Sequence, residues 1–388
     1  MKRDLISCAF LFALTLSSSA QGTWTTKTSL TGAARWGAVG FSIGAKGYVG
    51  TGLDASFNYT SDFWEYDPAL NTWTQKANFA GAARQLAAGF ATGGKGYIGT
   101  GYDGSPKQDL WQYDPAANTW TQKSNLPGAA RSSAVGFAIG TKGYIGTGYG
   151  TAPLDDFWEY DPSNDTWTQK TNVGGGGRND AAGFSIGSMG YIGTGTGNDF
   201  WEYDPAGNTW TQKANVGTVA RFSACGFSIG AKGYLGTGYS TTWLQDFYEY
   251  DPALNTWTPM ASFSGTPRQS TVAFSIGPKG YVGTGLDAAS ARKDWFEFDP
   301  GAMTSVTDQN KIITVWIYPN PVQLKADIFV KNLDSYADFI LYDLSGKEVY
   351  SKTFRLFFTF YNPGLPAGTY LYAIRAGKTI VPGKLVIE

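Results

Sequence analysis

Short apolar and aromatic runs, separated by glycine-rich and polar turns, recur in one fixed order over residues 21–303. One copy reads LAAGFA at 86–91, GYIGTG at 96–101, DLWQY at 109–113 and TWTQK at 119–123. Alternation of apolar and polar residues is typical of half-buried strands, and these runs lack the 3.6-residue period of a helix. The pattern predicts four antiparallel strands per unit, named a to d in chain order.

The unit is repeated six times with a period of 43–49 residues, which is typical of β-propeller blades or solenoids. Each strand-d Trp is followed eleven residues later by an Arg. Four antiparallel strands per unit predict one propeller blade per repeat. The tryptophans are Trp24, Trp73, Trp120, Trp167, Trp210 and Trp257, and the arginines are Arg35, Arg84, Arg131, Arg178, Arg221 and Arg268.

The last repeat is incomplete, because no Trp follows its Asp299-Pro300 turn. The missing strand is present at the beginning of the chain, where residues 23–27 (TWTTK) match the TWTQK of residues 72–76. We therefore expect strand 23–27 to pair beside strand 294–298 as strand d of the sixth blade. This pairing would close the ring and remove a pair of open sheet edges.

The order of Arg, apolar strand, Gly-Tyr-hydrophobic-Gly, Tyr-Asp-Pro and Asn-Thr-Trp resembles the kelch repeat over residues 23–300. One departure is systematic, since Gly-Thr-Gly stands where kelch repeats carry a Gly-Gly doublet after the second strand. The strand still ends in Gly, so we expect the turn after it to be retained. The resemblance implies an all-β chain with a six-bladed kelch-type β-propeller closed by the N-terminal strand.

The two ends of the chain differ from the repeats. Residues 1–20 have a basic start, a short apolar run and small residues before Ala20, as in a cleaved signal peptide. We assign 21–303 to the propeller, the polar residues 304–311 to a linker and 312–388 to a further domain.

Residues 312–388 resemble the C-terminal sorting domain of type IX secretion in Bacteroidetes. The shared motifs are YPNP at 318–321, YDLSGK at 342–347 and LPAGTY at 365–370. The resemblance implies a small, Ig-like β-sandwich that engages the secretion machinery. The protein would pass through the periplasm and end secreted or on the outer cell surface. A generic β-sandwich accessory domain is the alternative.

Composition excludes several classes of function. The formal net charge is −1 and charged residues are 16% of the chain, so nucleic acid is not an expected partner. The absence of His removes the commonest metal ligand and the commonest general base. Cleavage of the leader would leave Cys225 alone. We expect a monomer with no cofactor, no metal and no transmembrane segment in the mature chain.

Antiparallel order places the d–a connections and the b–c loops on one face, here named the Arg face. The six Arg could bind carboxylate or sulfate groups. Alternatively, each pairs with the Asp that opens strand c, because a residue present in every blade serves the blade. The repeated tryptophans of strands c and d are likewise expected to pack between blades.

Loops that differ between blades are the better candidates for specificity. The b–c loops vary from nine residues at 53–61 to three at 196–198, and Phe57 and Tyr59 lie in the longest. Asn179 also follows one of the Arg. The candidate binding residues are Arg35, Arg84, Arg131, Arg178, Arg221, Arg268, Trp36, Phe222, Tyr102, Tyr149, Tyr239 and Trp243.

We expect a non-catalytic recognition module that binds a glycan or a protein on the Arg face, and we assign no catalytic residue. One alternative is a carbohydrate-active enzyme of the kelch-type epimerase class that uses an Arg-lined axial mouth, and another is a purely structural surface protein. The copper chemistry of galactose oxidase is excluded because its ligands include His, and the sialidase sequence boxes are absent.

Overall fold

The computed structural model describes residues 22–301, 314–318, 321–331, 336–355, 357–376 and 379–388. The predicted signal peptide 1–20 and linker 304–311 lie outside the described residues. The chain divides into two compact units after Gly301. Within the described ranges, no helix has the length and apolar character needed to cross a bilayer.

The first unit consists of six four-stranded antiparallel sheets, each of which is one blade. Strands a are Val39–Ile43, Ala88–Thr92, Val135–Ile139, Ala182–Ile186, Cys225–Ile229 and Val272–Ile276. Strands b are Lys46–Gly50, Lys95–Gly99, Lys142–Gly146, Met189–Gly193, Lys232–Gly236 and Lys279–Gly283. Strands c are Phe63–Asp67, Leu110–Asp114, Phe157–Asp161, Phe200–Asp204, Phe247–Asp251 and Trp295–Asp299. Strands d of blades 1 to 5 are Thr72–Lys76, Thr119–Lys123, Thr166–Lys170, Thr209–Lys213 and Thr256–Met260. Two short strands, Arg35–Trp36 and Leu53–Asp54, form a separate pair on the Arg face.

The ring is closed by the N-terminal strand, as the repeat register predicts. Thr23–Lys27 pairs antiparallel with Trp295–Asp299, so that Trp24 lies opposite Phe298. The strand a of every blade contacts strand a of the next, and blade 6 contacts blade 1 in the same way. The prediction of a closed, six-bladed, all-β propeller is confirmed.

Glycine in strand b and phenylalanine in strand a form a repeated contact between neighbouring blades. A Cβ added to Gly143 of blade 3 would lie 2.1 Å from the ring of Phe90 in blade 2. Only Gly leaves room for that ring, and the same crowding recurs between Gly47 of blade 1 and Phe274 of blade 6. This contact explains why Gly precedes the Tyr in each copy of strand b.

The strand-d tryptophans also join neighbouring blades, as the sequence predicts. The indole N–H of Trp120 in blade 2 donates to the Ala77 carbonyl that follows strand d of blade 1, at 3.0 Å. In the same way, Trp24 in blade 6 donates to the Ala261 carbonyl that follows strand d of blade 5, at 2.9 Å. The ring of Trp24 also packs edge-on against Phe247 and Phe263 of blade 5.

The predicted limits of strand b are too long by two residues. The prediction placed Gly96–Gly101 in one strand, whereas strand b ends at Gly99. Thr100 leaves the strand because its φ is +61°, a left-handed conformation that is uncommon for a β-branched residue. The corresponding Thr of every blade has a φ between 58° and 65°. The turn therefore survives the replacement of the Gly doublet, with Thr in the conformation that Gly would adopt.

The second unit is a β-sandwich. One sheet contains Thr314–Tyr318, Lys325–Lys331 and Phe357–Tyr361. The other contains Ala337–Tyr342, Glu348–Phe354, Gly368–Ala376 and Thr379–Ile387. Ile328 of the first sheet and Phe339 and Ile374 of the second belong to one buried core. The expectation of a small C-terminal sandwich is confirmed.

Trp24→Ala is expected to loosen the closing strand. No c–d turn tethers this strand to strand c of its blade, so its attachment depends on pairing and on Trp24. We expect the free energy of unfolding to fall by about 2–3 kcal/mol, somewhat less than for a fully buried Trp. Hydrogen exchange of the Thr23–Lys27 amides should rise strongly. Trp167→Ala in blade 3 is the control, because its strand is held by a c–d turn. Unchanged exchange at 23–27 would contradict this role for Trp24.

Candidate functional site on the Arg face

Each repeated Arg forms a bidentate ion pair with the Asp that opens strand c of the same blade. In blade 3, the Arg131 Nη1 and Nη2 atoms each lie 2.6 Å from the Asp156 carboxylate oxygens. Nη1 also donates to the Thr147 carbonyl at 3.0 Å. This carbonyl belongs to the Gly-Thr-Gly turn, so the left-handed Thr conformation directs an acceptor toward the guanidinium. The same pairing joins Arg35–Asp62, Arg84–Asp109, Arg178–Asp199, Arg221–Asp246 and Arg268–Asp294.

The backbone of the same Arg is bonded to the preceding blade. The Arg131 N–H donates to the Lys107 carbonyl in the b–c loop of blade 2, and its carbonyl accepts from Gly101 N–H, both at 2.8 Å. Each Arg therefore joins the loop of one blade to strand c of the next. At the ring closure, Arg35 N–H donates to the Arg292 carbonyl of blade 6 in the same way.

In blades 1 to 4 the carboxylate of the pair is held in its ionised form. The indole N–H of Trp158 donates to Asp156 Oδ2 at 2.7 Å, in addition to the two bonds from Arg131. Burial of Asp156 opposes ionisation, but these hydrogen bonds and the charge of Arg131 outweigh it, so its pKa lies below the usual value. The pKa values of Asp62, Asp109 and Asp199 are lowered by the same balance of effects.

The geometry favours the structural interpretation of the Arg ring. Arg131 and four others have 0% exposure and Arg84 has 1%, so none of the guanidinium groups faces solvent. Their terminal nitrogens already donate to a carboxylate and to carbonyls. An anionic ligand could reach them only by displacing Asp from the pair, which would leave a partly buried carboxylate without its partner.

A ring of backbone hydrogen bonds narrows the axial opening on this face. The residue two positions after each Arg donates its N–H to the carbonyl of the corresponding residue in the neighbouring blade, with N···O distances between 2.7 and 3.3 Å. Around the axis these residues are Gly37, Leu86, Ser133, Asp180, Ser223 and Ser270. A cavity of about 160 Å³ is lined by these residues and by the next in sequence, which are five Ala and Thr271. Asp180 brings the single charge among these lining residues, and it is negative.

The b–c loops carry the predicted aromatic residues onto this face as small hairpins. Tyr149 forms isolated antiparallel β-bridges with Ser132 and Pro153, and Tyr239 forms them with Phe222 and Trp243. Tyr102 occupies the matching position in blade 2 and forms bridges with Gln85 and Pro106, whereas Trp36 pairs with Leu53 in blade 1.

Their exposure differs between blades. Tyr149 is 44% and Phe222 is 41% exposed. Tyr102, Tyr239, Trp243 and Trp36 are half-buried. Exposed aromatic surface is therefore available on this face, although the exposed Arg surface that the sequence also suggested is not.

The recurrent strand-c glutamates lie inside the blades. Glu65 accepts a hydrogen bond from the Tyr48 hydroxyl at 2.6 Å and forms an ion pair with Lys76 at 3.4 Å. Glu159 and Glu202 make the equivalent bonds with Tyr144 and Tyr191. In the part of the chain that the structure describes, no three His, Cys, Asp or Glu residues come together in a way that could hold a metal ion.

Blade 4 departs from the other five on this face. Its b–c loop has three residues, 196–198, whereas those of blades 3 and 5 have seven, 149–155 and 239–245. Asn179 and Asp180 follow Arg178, and the Asn179 amide donates to Asp180 Oδ2 at 2.5 Å. The sequence interpretation missed Asp180. The signal available for finding it was its variation between blades, which is Gly, Leu, Ser, Asp, Ser and Ser at the equivalent positions.

Both units of the chain resemble known proteins. Residues 316–388 match the family model described as the secretion system C-terminal sorting domain. A solved chain titled "Structure of YjhT" has 16% sequence identity and a TM-score of 0.60, and the match covers 69% of this chain and 95% of that one. Such matches extend to 620 solved chains, so the likeness establishes the fold and no particular activity. None of the curated proteins that were compared matches this chain.

The fold and the sorting domain together define the class of protein. This chain is a six-bladed β-propeller followed by a C-terminal type IX sorting domain. It is therefore a secreted or outer-cell-surface protein that interacts with the secretion machinery through its sorting domain.

Arg131→Ala is expected to destabilise the propeller. The Asp156 carboxylate would lose its partner, although its side chain is 20% exposed and retains some hydration. We expect a loss of about 3 kcal/mol, the low end for a broken buried ion pair, measured as the urea midpoint of the purified chain.

Lys142→Ala is the matched control, because it breaks the Lys142–Asp161 pair of the same blade, whose cation is 33% exposed whereas Arg131 is fully buried. That loss should be clearly smaller than the loss caused by Arg131→Ala. Equal effects of the two substitutions would show that the Arg–Asp pair has no special structural role.

Proposed function

We propose that the propeller is a non-catalytic recognition module that binds a glycan or a protein partner with the b–c loops of the Arg face. The observation that carries this proposal is the contrast between the two kinds of residue on the face. The repeated Arg are buried and paired, whereas the variable loops expose aromatic surface. Loops on a rigid scaffold are common sites of recognition.

Export agrees with this role. A chain with a type IX sorting domain is delivered to the cell surface or beyond it, where glycans and surface proteins are the available ligands. The propeller supplies a rigid support, since every blade is tied to its neighbours by the Arg backbone bonds and the strand-d Trp. Rigid loops lose little entropy on binding, which favours affinity.

The enzyme alternative has less support. It depends on an axial mouth lined by free Arg, whereas the mouth is lined by the backbone, small side chains, Leu86 and Asp180. The strand-c Glu residues that could serve as acids or bases are bonded to Tyr hydroxyls within the blades. The purely structural alternative leaves the exposed aromatic groups of the variable loops without a role.

The proposed function is tested with the purified mature chain on a glycan array and, in parallel, by cross-linking to intact bacterial surfaces. We expect saturable binding in at least one assay, with no sugar released or epimerised when the bound glycans are analysed by chromatography. Catalytic turnover would overturn the proposal, and so would the absence of binding in both assays.

The face is tested by a pair of multiple variants. Alanine replacement of Tyr102, Tyr149, Phe222 and Trp243 should abolish binding. Replacement of Leu70 and Leu254, which are exposed in c–d turns on the opposite face, should leave binding intact. The reverse result would place the binding surface on the opposite face, which carries the c–d turns.

A further inference from the structure

We propose that the recess above blade 4 on the Arg face binds a neutral carbohydrate. This inference rests on the proposed function and adds both the sector of the face and the chemistry of the ligand.

The recess is produced by the short loop of blade 4. In blade 3 the b–c loop folds back on itself through the Tyr149–Pro153 bridge, and in blade 5 through the Tyr239–Trp243 bridge. Blade 4 has only residues 196–198 at this place. Since the blades follow one another around the ring, the loop hairpins of blades 3 and 5 stand on either side of a gap over blade 4.

An exposed aromatic residue lies on each side of the gap. Tyr149 is the exposed aromatic residue of the blade 3 hairpin, and Phe222 is an exposed aromatic residue beside the blade 5 hairpin. Phe222 is bridged to Tyr239, whose ring makes an edge contact with Trp243 at a centroid distance of 5.2 Å. Flat, exposed aromatic rings suit the apolar face of a sugar ring.

Polar groups lie between these aromatic residues. Gly148 N–H is bonded to the Arg178 carbonyl, and Gly195 N–H is bonded to the Arg221 carbonyl, both at 2.8 Å. These bonds place Asn179 next to the base of the blade 3 loop. They also place Thr196, which is exposed, next to the base of Phe222. The amide carbonyl of Asn179 and the carboxylate of Asp180 provide acceptors for sugar hydroxyl groups.

The charge of this sector argues against an acidic ligand. The b–c loops of blades 3 to 5, residues 149–155, 196–198 and 239–245, contain no Lys or Arg. The nearby cations are the ring arginines Arg178 and Arg221, which are fully buried and paired with Asp199 and Asp246. Asp180 is the charged residue at the axial end of the recess. An anionic sugar would meet a carboxylate and no available cation.

Departures from the repeat are concentrated in the same sector. In blades 1, 2, 3 and 6 the Arg Nε donates to the carbonyl two residues earlier. Among the described residues, the Nε atoms of Arg178 and Arg221 have no acceptor. The connection before Arg178 is Gly174–Gly177, unlike the corresponding segment of any other blade. Because the repeated features maintain the blades, this local divergence around blade 4 indicates a separate role.

The inference is tested by titrating the purified mature chain with cellohexaose, maltohexaose and chitohexaose, and with hexagalacturonate as the acidic probe. We expect one of the neutral hexasaccharides to bind and the acidic one to bind at least about tenfold more weakly, a difference of 1.4 kcal/mol. Four substitutions then locate the site. Phe222→Ala and Tyr149→Ala each remove an aromatic side chain beside the recess, and Thr196→Trp fills the recess from an exposed position. Leu254→Ala, which removes an exposed apolar side chain on the opposite face, is the control.

Phe222→Ala and Tyr149→Ala should each weaken binding about fivefold to tenfold. Thr196→Trp should abolish binding while leaving the urea midpoint unchanged, and Leu254→Ala should change affinity by less than twofold. If saccharide binding survives Thr196→Trp, the proposed function stands and the recess is the wrong location.

Preference for the acidic probe would overturn the assignment of ligand chemistry. Binding of a protein partner that is lost with Thr196→Trp, without binding of any hexasaccharide, would also overturn it while preserving the proposed function. Failure of the chain to bind either saccharides or bacterial surfaces would overturn both.

Discussion

This propeller depends on the ion pair between each repeated, buried Arg and the Asp that stands immediately before strand c of its blade. Burying a guanidinium costs several kcal/mol of lost hydration unless its hydrogen-bond donors are satisfied in good geometry, and here two carboxylate oxygens and a turn carbonyl satisfy them. The backbone of the same residue is bonded to the loop of the previous blade. One residue therefore determines how each blade meets its neighbour on the Arg face.

Two other features of the repeat follow from this pair. Thr adopts a left-handed φ in the Gly-Thr-Gly turn because that conformation directs its carbonyl to the guanidinium. In blades 1 to 4, strand c begins Asp-x-Trp because the indole N–H is a further donor to the same carboxylate. Where blades 5 and 6 replace this Trp with Tyr248 and Phe296, the ion pair is retained. The Arg–Asp pair is thus the constant part of the junction and the aromatic group is the variable part.

The sequence was sufficient to predict the blades, their number and the closing strand, because these depend on local periodicity and on a repeat that is visibly interrupted at Asp299 and resumed at Thr23. It was not sufficient to decide whether Arg131 is a ligand group or a structural one. Identical repetition is compatible with both, and the decision rests on the distance from its guanidinium to Asp156. The hydrogen-bonded ring around the axis also could not be predicted from the sequence, because backbone hydrogen bonds place little constraint on residue identity. The recess over blade 4 was indicated only by a short loop, and the aromatic residues beside it are 73 positions apart in the chain, Tyr149 and Phe222.

The six repeated Arg are buried within blade junctions and are not ligand groups. This central claim is tested by phenylglyoxal modification of the folded chain followed by peptide mass spectrometry. Arg355 and Arg375 of the sandwich are exposed and serve as internal reactive controls. We expect rapid modification of these two and protection of Arg35, Arg84, Arg131, Arg178, Arg221 and Arg268 until the chain is unfolded in urea. Modification of the six in the folded chain at the rate of Arg355 and Arg375, and its suppression by a bound ligand, would contradict the account.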